Sequence, residues 1–166
     1  MVEQNVKTAT VEAPLGTYAA RVDDKGRLKL PVDIQRYLGQ VFLVEGGEEK
    51  IFITTLDVRI ARIYPISLWK QNETLLEQEV DDPEAAEDIA FLAKDLGGTS
   101  EIDSQGRVLV PAELRRELTL ENQPVWLDCY RGRINIYGQA VYEERRARSR
   151  MNPEDKARRF EKKGLK

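Results

Sequence analysis

The side chains best spaced for specific chemistry fall in two matching phrases, Asp23-Asp24-Lys25-Gly26-Arg27 and Asp103-Ser104-Gln105-Gly106-Arg107. Neither phrase pairs a nucleophile with a general base, so turnover is not what they suggest. Asp satisfies nearby backbone donors or pairs with an arginine, and Gly takes positive φ without a steric penalty. Asp23, Gly26, Asp103 and Gly106 are therefore read as supports of a turn. Arg27 and Arg107 are read differently, because a guanidinium at the end of a short hairpin suits two hydrogen bonds to guanine in a major groove. Lys25 and Gln105 point from the same turns. Lysine suits phosphate or guanine, whereas glutamine suits adenine. Two such probes on one duplex would read an asymmetric sequence, while a plain homodimer favours a palindrome.

The remaining composition narrows the classes. Histidine is absent and Cys129 is the single cysteine. Histidine triads, histidine metal sites, internal disulfides and cysteine-built zinc sites are thereby removed. Neither a GxxxxGK[ST] loop nor a GxGxxG turn occurs, so no enzyme activity, cofactor or metal is expected. No apolar run approaches a membrane span, and "MVEQNVKTAT" has neither the basic start nor the apolar stretch of a secretory signal; a cytoplasmic protein is expected. The net charge of −3 hides a strong pattern. Every charged residue from 73 to 88 is acidic, which reads as a solvated helix face. Basic residues dominate from 145 to 166 and cluster at Arg21, Lys25, Arg27 and Lys29. A basic surface beside an acidic one is compatible with double-stranded DNA as partner despite the total.

The elements that must position these residues are also written twice. Setting Gly26 over Gly106 aligns Asp23 with Asp103, Arg27 with Arg107, Pro31 with Pro111 and Leu38 with Leu118. In each copy the alternation of "TYAARV" and "RLKL", or its equivalent, predicts short strands joined by the turn. Pro31 and Pro111 then open short helices, with Ile34 and Leu38, and Leu114 and Leu118, facing a core at i,i+4 spacing. Further strands are expected at "VFLVE", "KIFITT", "VRIARIY", "VWLDCY" and "RINIY", with a hairpin turn at "YRGR". Between the copies, Ser67 is expected to cap one helix, and Asp82 with Pro83 to start a second that Gly97 and Gly98 stop. Asn152 and Pro153 start a last helix. Cys129 lies in an apolar strand and reads as core rather than redox sensor. About 50 residues per copy make a marginal independent core, so the copies are expected to pack on each other about a pseudo-twofold axis. The fold class expected is α+β, mainly β: one composite domain with linking and C-terminal helices. Its divisions are an N-terminal extension at 1–14, a first half at 15–65, a helical linker at 66–98, a second half at 99–138 and a basic helical extension at 139–166.

These phrases resemble the MraZ family of AbrB-like, swapped-hairpin proteins. The resemblance spans residues 18–144 and rests on "DDKGRLKLPVDIQRYL", "IYPISLW", "DSQGRVLVP", "ELRREL" and "INIYGQAVYE". One D-x-x-G-R would be weak; two in tandem, each followed by a proline-started helix, are specific. What the resemblance implies is two AbrB/MazE-like halves in a regulator, or more narrowly a repressor, of transcription. Its sites would be short repeats upstream of its own cluster of division and cell-wall genes, in the nucleoid. It also implies a homo-oligomer, including closed rings, with DNA-facing positions at Asp23, Lys25, Arg27, Asp103, Gln105 and Arg107. The chain departs from the family in its N-terminal extension, in "EGGEEK" and in its basic C-terminus. That last piece either adds phosphate contacts or docks on a neighbouring subunit. Two rivals stand beside the regulator: an antitoxin of the same fold, and an oligomeric scaffold that binds protein.

Overall fold

The computed structural model of the protein describes residues 11–166; most of the N-terminal extension expected at 1–14 lies outside the described residues. The first copy runs β1 (Tyr18–Arg21), β2 (Arg27–Lys29), α1 (Val32–Val44), β3 (Lys50–Thr55) and β4 (Ala61–Pro65). The linker holds α2 (Ile66–Glu77) and α3 (Pro83–Leu96). The second copy follows as β5 (Gly98–Glu101), β6 (Arg107–Leu109), α4 (Ala112–Glu117), β7 (Pro124–Tyr130) and β8 (Arg133–Gly138), ahead of α5 (Gln139–Ser149) and α6 (Pro153–Glu161). The class is α+β with antiparallel sheets. It is not mainly β, since among the described residues the six helices hold more residues than the eight strands.

Two departures account for much of that balance. "VFLVE" is helix, not strand, because Ile34, Tyr37, Leu38, Val41 and Phe42 form one buried stripe at helical spacing that carries α1 on to Val44. Its β-branched and aromatic composition misleads, for the three-and-four spacing outweighs intrinsic preference. The strand expected at "VRIARIY" likewise begins only at Ala61. Before it, the Asp57 carboxylate accepts from the backbone N–H groups of Arg59 and Ile60, closing a turn, and Val58 takes φ 57°.

The strand order of the large sheet is β1-β7-β8-β4-β3-β5. Exchanging the two copies turns this order into itself, with the β4–β8 pair at the centre. The turns that join β1 to β2 and β5 to β6 do not close ordinary hairpins. β1 pairs with β7, β3 with β5, and β2 with β6, so the strands flanking each turn find their backbone partners in the other copy. Within the first copy only the isolated Val22–Leu28 bridge remains between the strands flanking the turn.

The β2–β6 ribbon lies over one face of the sheet. Leu28, Leu30, Val108 and Val110 are buried there with Ile34, Leu38 and Leu114, against Ile53, Ile63, Leu127, Ile134 and Ile136. Fully burying one such side chain is worth about 1.5–3 kcal/mol, so a shared core is what makes two short copies a stable body. Leu118 is half-buried at the edge of this core.

On the other face, Phe52, Tyr64, Trp69 and Ala93 form a second cluster under α2 and α3, with the Phe52 and Trp69 rings 4.7 Å apart. Trp126 stacks on Tyr142 at 4.4 Å and seats α5. Asp82 caps α3 as the sequence suggests, accepting from the Ala85 N–H at 3.3 Å. Ser67 does not cap α2, which starts after Pro65; its hydroxyl instead donates to Glu45. Pro31 and Pro111 stand at the N-cap positions, one residue earlier than the first helical turn. Gly97 ends α3 in extended conformation rather than with positive φ. A side chain there would run into the Ala93 carbonyl and the Phe52 ring.

Candidate nucleic-acid interface

The two repeated phrases form the same turn to within a tenth of an ångström in their hydrogen bonds. The Asp23 carboxylate accepts from the Lys25 N–H at 2.9 Å, the Arg27 N–H at 2.8 Å and the Arg27 Nε at 2.9 Å. Asp103 accepts from the Gln105 N–H, the Arg107 N–H and the Arg107 Nε, each at 2.9 Å. The Gly26 and Gly106 N–H groups donate back to the Asp23 and Asp103 carbonyls at 3.1 and 3.0 Å. Both glycines hold positive φ, +80° and +75°. These contacts hold both carboxyls below the usual aspartate range. The backbone N–H of Arg27 or Arg107 is the largest cause, working with its guanidinium against partial desolvation.

Binding Nε by the aspartate aims the rest of each guanidinium. Among the described residues the terminal nitrogens of Arg27 and Arg107 have no hydrogen-bond partner, and both side chains are only partly covered. Two parallel terminal N–H donors match the O6 and N7 acceptors of guanine or two phosphate oxygens. Lys25 and Gln105 are exposed on the same turns.

The copies buttress each other's turns. Leu30 N–H donates to the Gly106 carbonyl at 2.9 Å and Val110 N–H to the Gly26 carbonyl at 3.0 Å. Gln35 of α1 packs against Gly106, while Arg115 of α4, its counterpart in the repeat, packs against Gly26; a Cβ on either glycine would collide with that side chain. The Lys29 ammonium donates to the Gln105 carbonyl. Gln35 and Arg115 were not among the sequence candidates, and Lys29 figured there only as part of the basic cluster. A signal was present for the first two: each is a long polar residue at equivalent repeat positions, next to the buried Ile34 and Leu114.

Cys129 is half-buried against the core, and its thiol is pushed up to about 11 by burial and by Asp128. That suits a packed thiol rather than a reactive one. Among the described residues no group of three or more His, Cys, Asp or Glu side chains is placed to hold a metal, and no helix is long and apolar enough to cross a membrane.

The geometry defines an internally duplicated α+β protein that presents twin, cross-buttressed arginine turns. Comparison with known proteins narrows this to one family. A family model described as "MraZ protein, putative antitoxin-like" matches residues 97–163. The Transcriptional regulator MraZ of Acidobacterium capsulatum is 33% identical over 129 residues, covering 78% of this chain and 78% of the relative. Those of Koribacter versatilis and Desulfitobacterium hafniense are 29% identical over 108 residues and 30% over 132. They cover 65% and 78% of this chain, and 71% and 84% of the relatives. The chain belongs to the MraZ family.

Proposed function

We propose that the chain is a sequence-specific, DNA-binding regulator of transcription that reads double-stranded DNA through its two turns. Lys25, Arg27, Gln105 and Arg107 make the contacts; Asp23, Gly26, Asp103 and Gly106 hold them in place. The observation that carries this reading is the pair of guanidinium groups, each clamped at Nε and free at its terminal nitrogens, on turns that differ at Lys25 and Gln105. The relatives' names supply the regulatory role. The finer statement is a repressor that binds direct repeats upstream of the division and cell-wall gene cluster, in the cytoplasm and on the nucleoid, without catalytic activity.

We read the exchange of β1 and β5 between copies as a swapped-hairpin arrangement of two AbrB-like halves, 15–65 and 99–138, joined by the linker at 66–98 and followed by the extension at 139–166. Direct repeats would then engage several copies in a homo-oligomer, such as a closed ring, so that modest contacts sum through avidity. Fluorescence anisotropy with the chain's own upstream DNA and a scrambled duplex, across a salt series, tests the reading. Tight, salt-sensitive binding that prefers the native repeats supports it; equal binding to both duplexes removes it.

An antitoxin role is the second reading, favoured by the description of the family model. It requires a toxic protein encoded beside this one and neutralised by it. Unchanged growth arrest when the neighbouring gene product is co-expressed with this chain would discard that role.

A further inference from the structure

The face of the sheet turned away from the β2–β6 ribbon carries two surfaces of opposite charge, and neither finds a sufficient ion-pair partner among the described residues. Ile63, Leu127, Ile134 and Ile136 point into the core beneath the ribbon. Strand alternation therefore sends Arg62, Asp128, Asn135 and Tyr137 to the opposite face. There an open groove of about 570 Å³ is lined by Arg62, Arg133, Arg145, Arg146 and Arg150, with Asp128 as its one carboxylate among the described residues. Asp128 is already occupied, accepting from Asn135 Nδ2 at 2.9 Å and from the Tyr137 hydroxyl at 3.0 Å.

Arg133 Nε donates to Asn135 Oδ1 at 3.3 Å and Arg150 to the Arg146 carbonyl at 3.2 Å, which leaves most of the groove's guanidinium donors unused among the described residues. Arg62 Nε is buried with no hydrogen-bond partner among the described residues. Its terminal nitrogens reach only Tyr64 at 3.5 Å and Asp57 at 3.8 Å. A buried guanidinium N–H left unpaired is costly, and a site that keeps one points to a partner that arrives from outside. Arg133, Arg145, Arg146 and Arg150 form no ion pair among the described residues. The twin turns flank the β2–β6 ribbon, which packs on the opposite face of the sheet.

The complementary surface is on the same chain. Residues 73–88, the end of α2, the corner after it and the start of α3, contain eight carboxylates and no basic side chain. None of them forms an ion pair among the described residues. Glu79 and Asp82 are used locally, on backbone N–H groups of the corner and of α3. Glu77, Asp81 and Glu84 remain exposed, beside Val80, which is 82% exposed.

We propose that the arginine groove of one copy receives the acidic α2–α3 corner of a second copy of this chain. The proposal rests on the homo-oligomer reading above and names the surfaces that build it. Carboxylate against guanidinium supplies charge-assisted hydrogen bonds and fixes the register, and Val80 supplies an apolar tip.

Reciprocal charge reversal in the full-length chain, read by light scattering on a sizing column, tests the pairing. The groove variant is Arg145→Glu with Arg146→Glu and Arg150→Glu; the corner variant is Glu77→Lys with Asp81→Lys. All five positions are exposed, so circular dichroism should match the wild type. Each variant alone should associate more weakly, on the order of tenfold or more. Mixing the two should restore the wild-type mass, because each variant's altered surface then meets its complement and each unaltered surface meets the other. An oligomeric wild type whose mass ignores both reversals, or variants that fail to recover on mixing, overturns the pairing and leaves the homo-oligomer reading in place. A wild type that is monomeric throughout overturns both. Reversals that change DNA affinity with no change in mass make the groove a DNA surface and sink the proposal.

Discussion

The two turns share a backbone and differ in almost everything that backbone displays. Asp, Gly and Arg recur, and their hydrogen bonds match to a tenth of an ångström. Around them, Arg21, Lys25, Arg27 and Lys29 in the first copy stand where the second has Glu101, Gln105, Arg107 and Leu109. Residues 21–29 carry four basic side chains against Asp23 and Asp24, whereas residues 101–109 carry Arg107 alone against Glu101 and Asp103. The supports differ as well. Arg115 lies against the first turn and Gln35 against the second, and Lys29 holds the Gln105 carbonyl with no lysine to return the contact. Duplication has thus kept the part that shapes the turn separate from the part free to vary. A single copy repeated by symmetry could not present two chemistries side by side.

The comparison breaks most completely when the shared part is removed. Asp23→Ala with Asp103→Ala should free both arginines and release the backbone N–H groups each carboxylate holds. Specific binding should fall toward the nonspecific level, a span of about 10³-fold or more in sequence-specific proteins. Anisotropy on native and scrambled duplexes checks this, and a persisting preference for the native repeats would show that the carboxylates do not organise the contacts. The melting temperature should move little, because the ribbon beneath is held by Leu28, Leu30, Val108 and Val110.

A smaller effect is expected from the arginines taken singly. Arg27→Ala and Arg107→Ala should each cost about 1–3 kcal/mol of binding and relax preference at one base position. The relaxed positions should differ between the variants if the two turns meet different bases of one duplex. A uniform loss across all sequences would assign the arginine to phosphate instead.

Lys25 and Gln105 sharpen the difference itself. Lys25→Gln should lower the salt slope of binding by about one, and Gln105→Lys should raise it by about one. The double exchange should restore the slope while changing which sequence is preferred. Unchanged preference in the exchange would mean that neither residue reads a base.

Much of this was legible in the sequence because it is local. The Asp, Gly and Arg of each turn sit within five positions, and their roles follow from side-chain reach and backbone freedom. The helix start at Asp82 and the core stripe beginning at Ile34 are local too. What was not legible depends on partners far along the chain. Nothing near Tyr18 says that it pairs with Leu127, or that Thr99 of β5 pairs with Phe52. Gln35 and Arg115 become part of the site only because the ribbon brings each helix against the other copy's glycine. "VFLVE" misled for a related reason: its composition favours a strand in isolation, and the core already contacted by Ile34 and Leu38 decides for helix.

Acid should separate the shared part of the turns from the differing part with the finest resolution. Asp23 and Asp103 are both held below the usual carboxylate range, first by the backbone N–H of Arg27 or Arg107 and then by its guanidinium. A folded value below the unfolded one means the stabilisation is complete above the ordinary aspartate pKa near ~4. It is lost only as pH falls through the lowered value. The Gly26 and Gly106 amide resonances should therefore stay flat from neutral pH down to the ordinary aspartate range and titrate beneath it. Their midpoints should be alike, because the contacts around the two carboxylates are alike, even though Lys25 is charged and Gln105 is not. In Arg27→Ala only the Gly26 midpoint should rise, and it should stop short of the ordinary value since the backbone N–H bonds remain. Midpoints at the ordinary value in the wild-type chain would mean that the aspartates do not hold the turns. Widely separated midpoints would mean that the differing side chains reach into the shared frame after all.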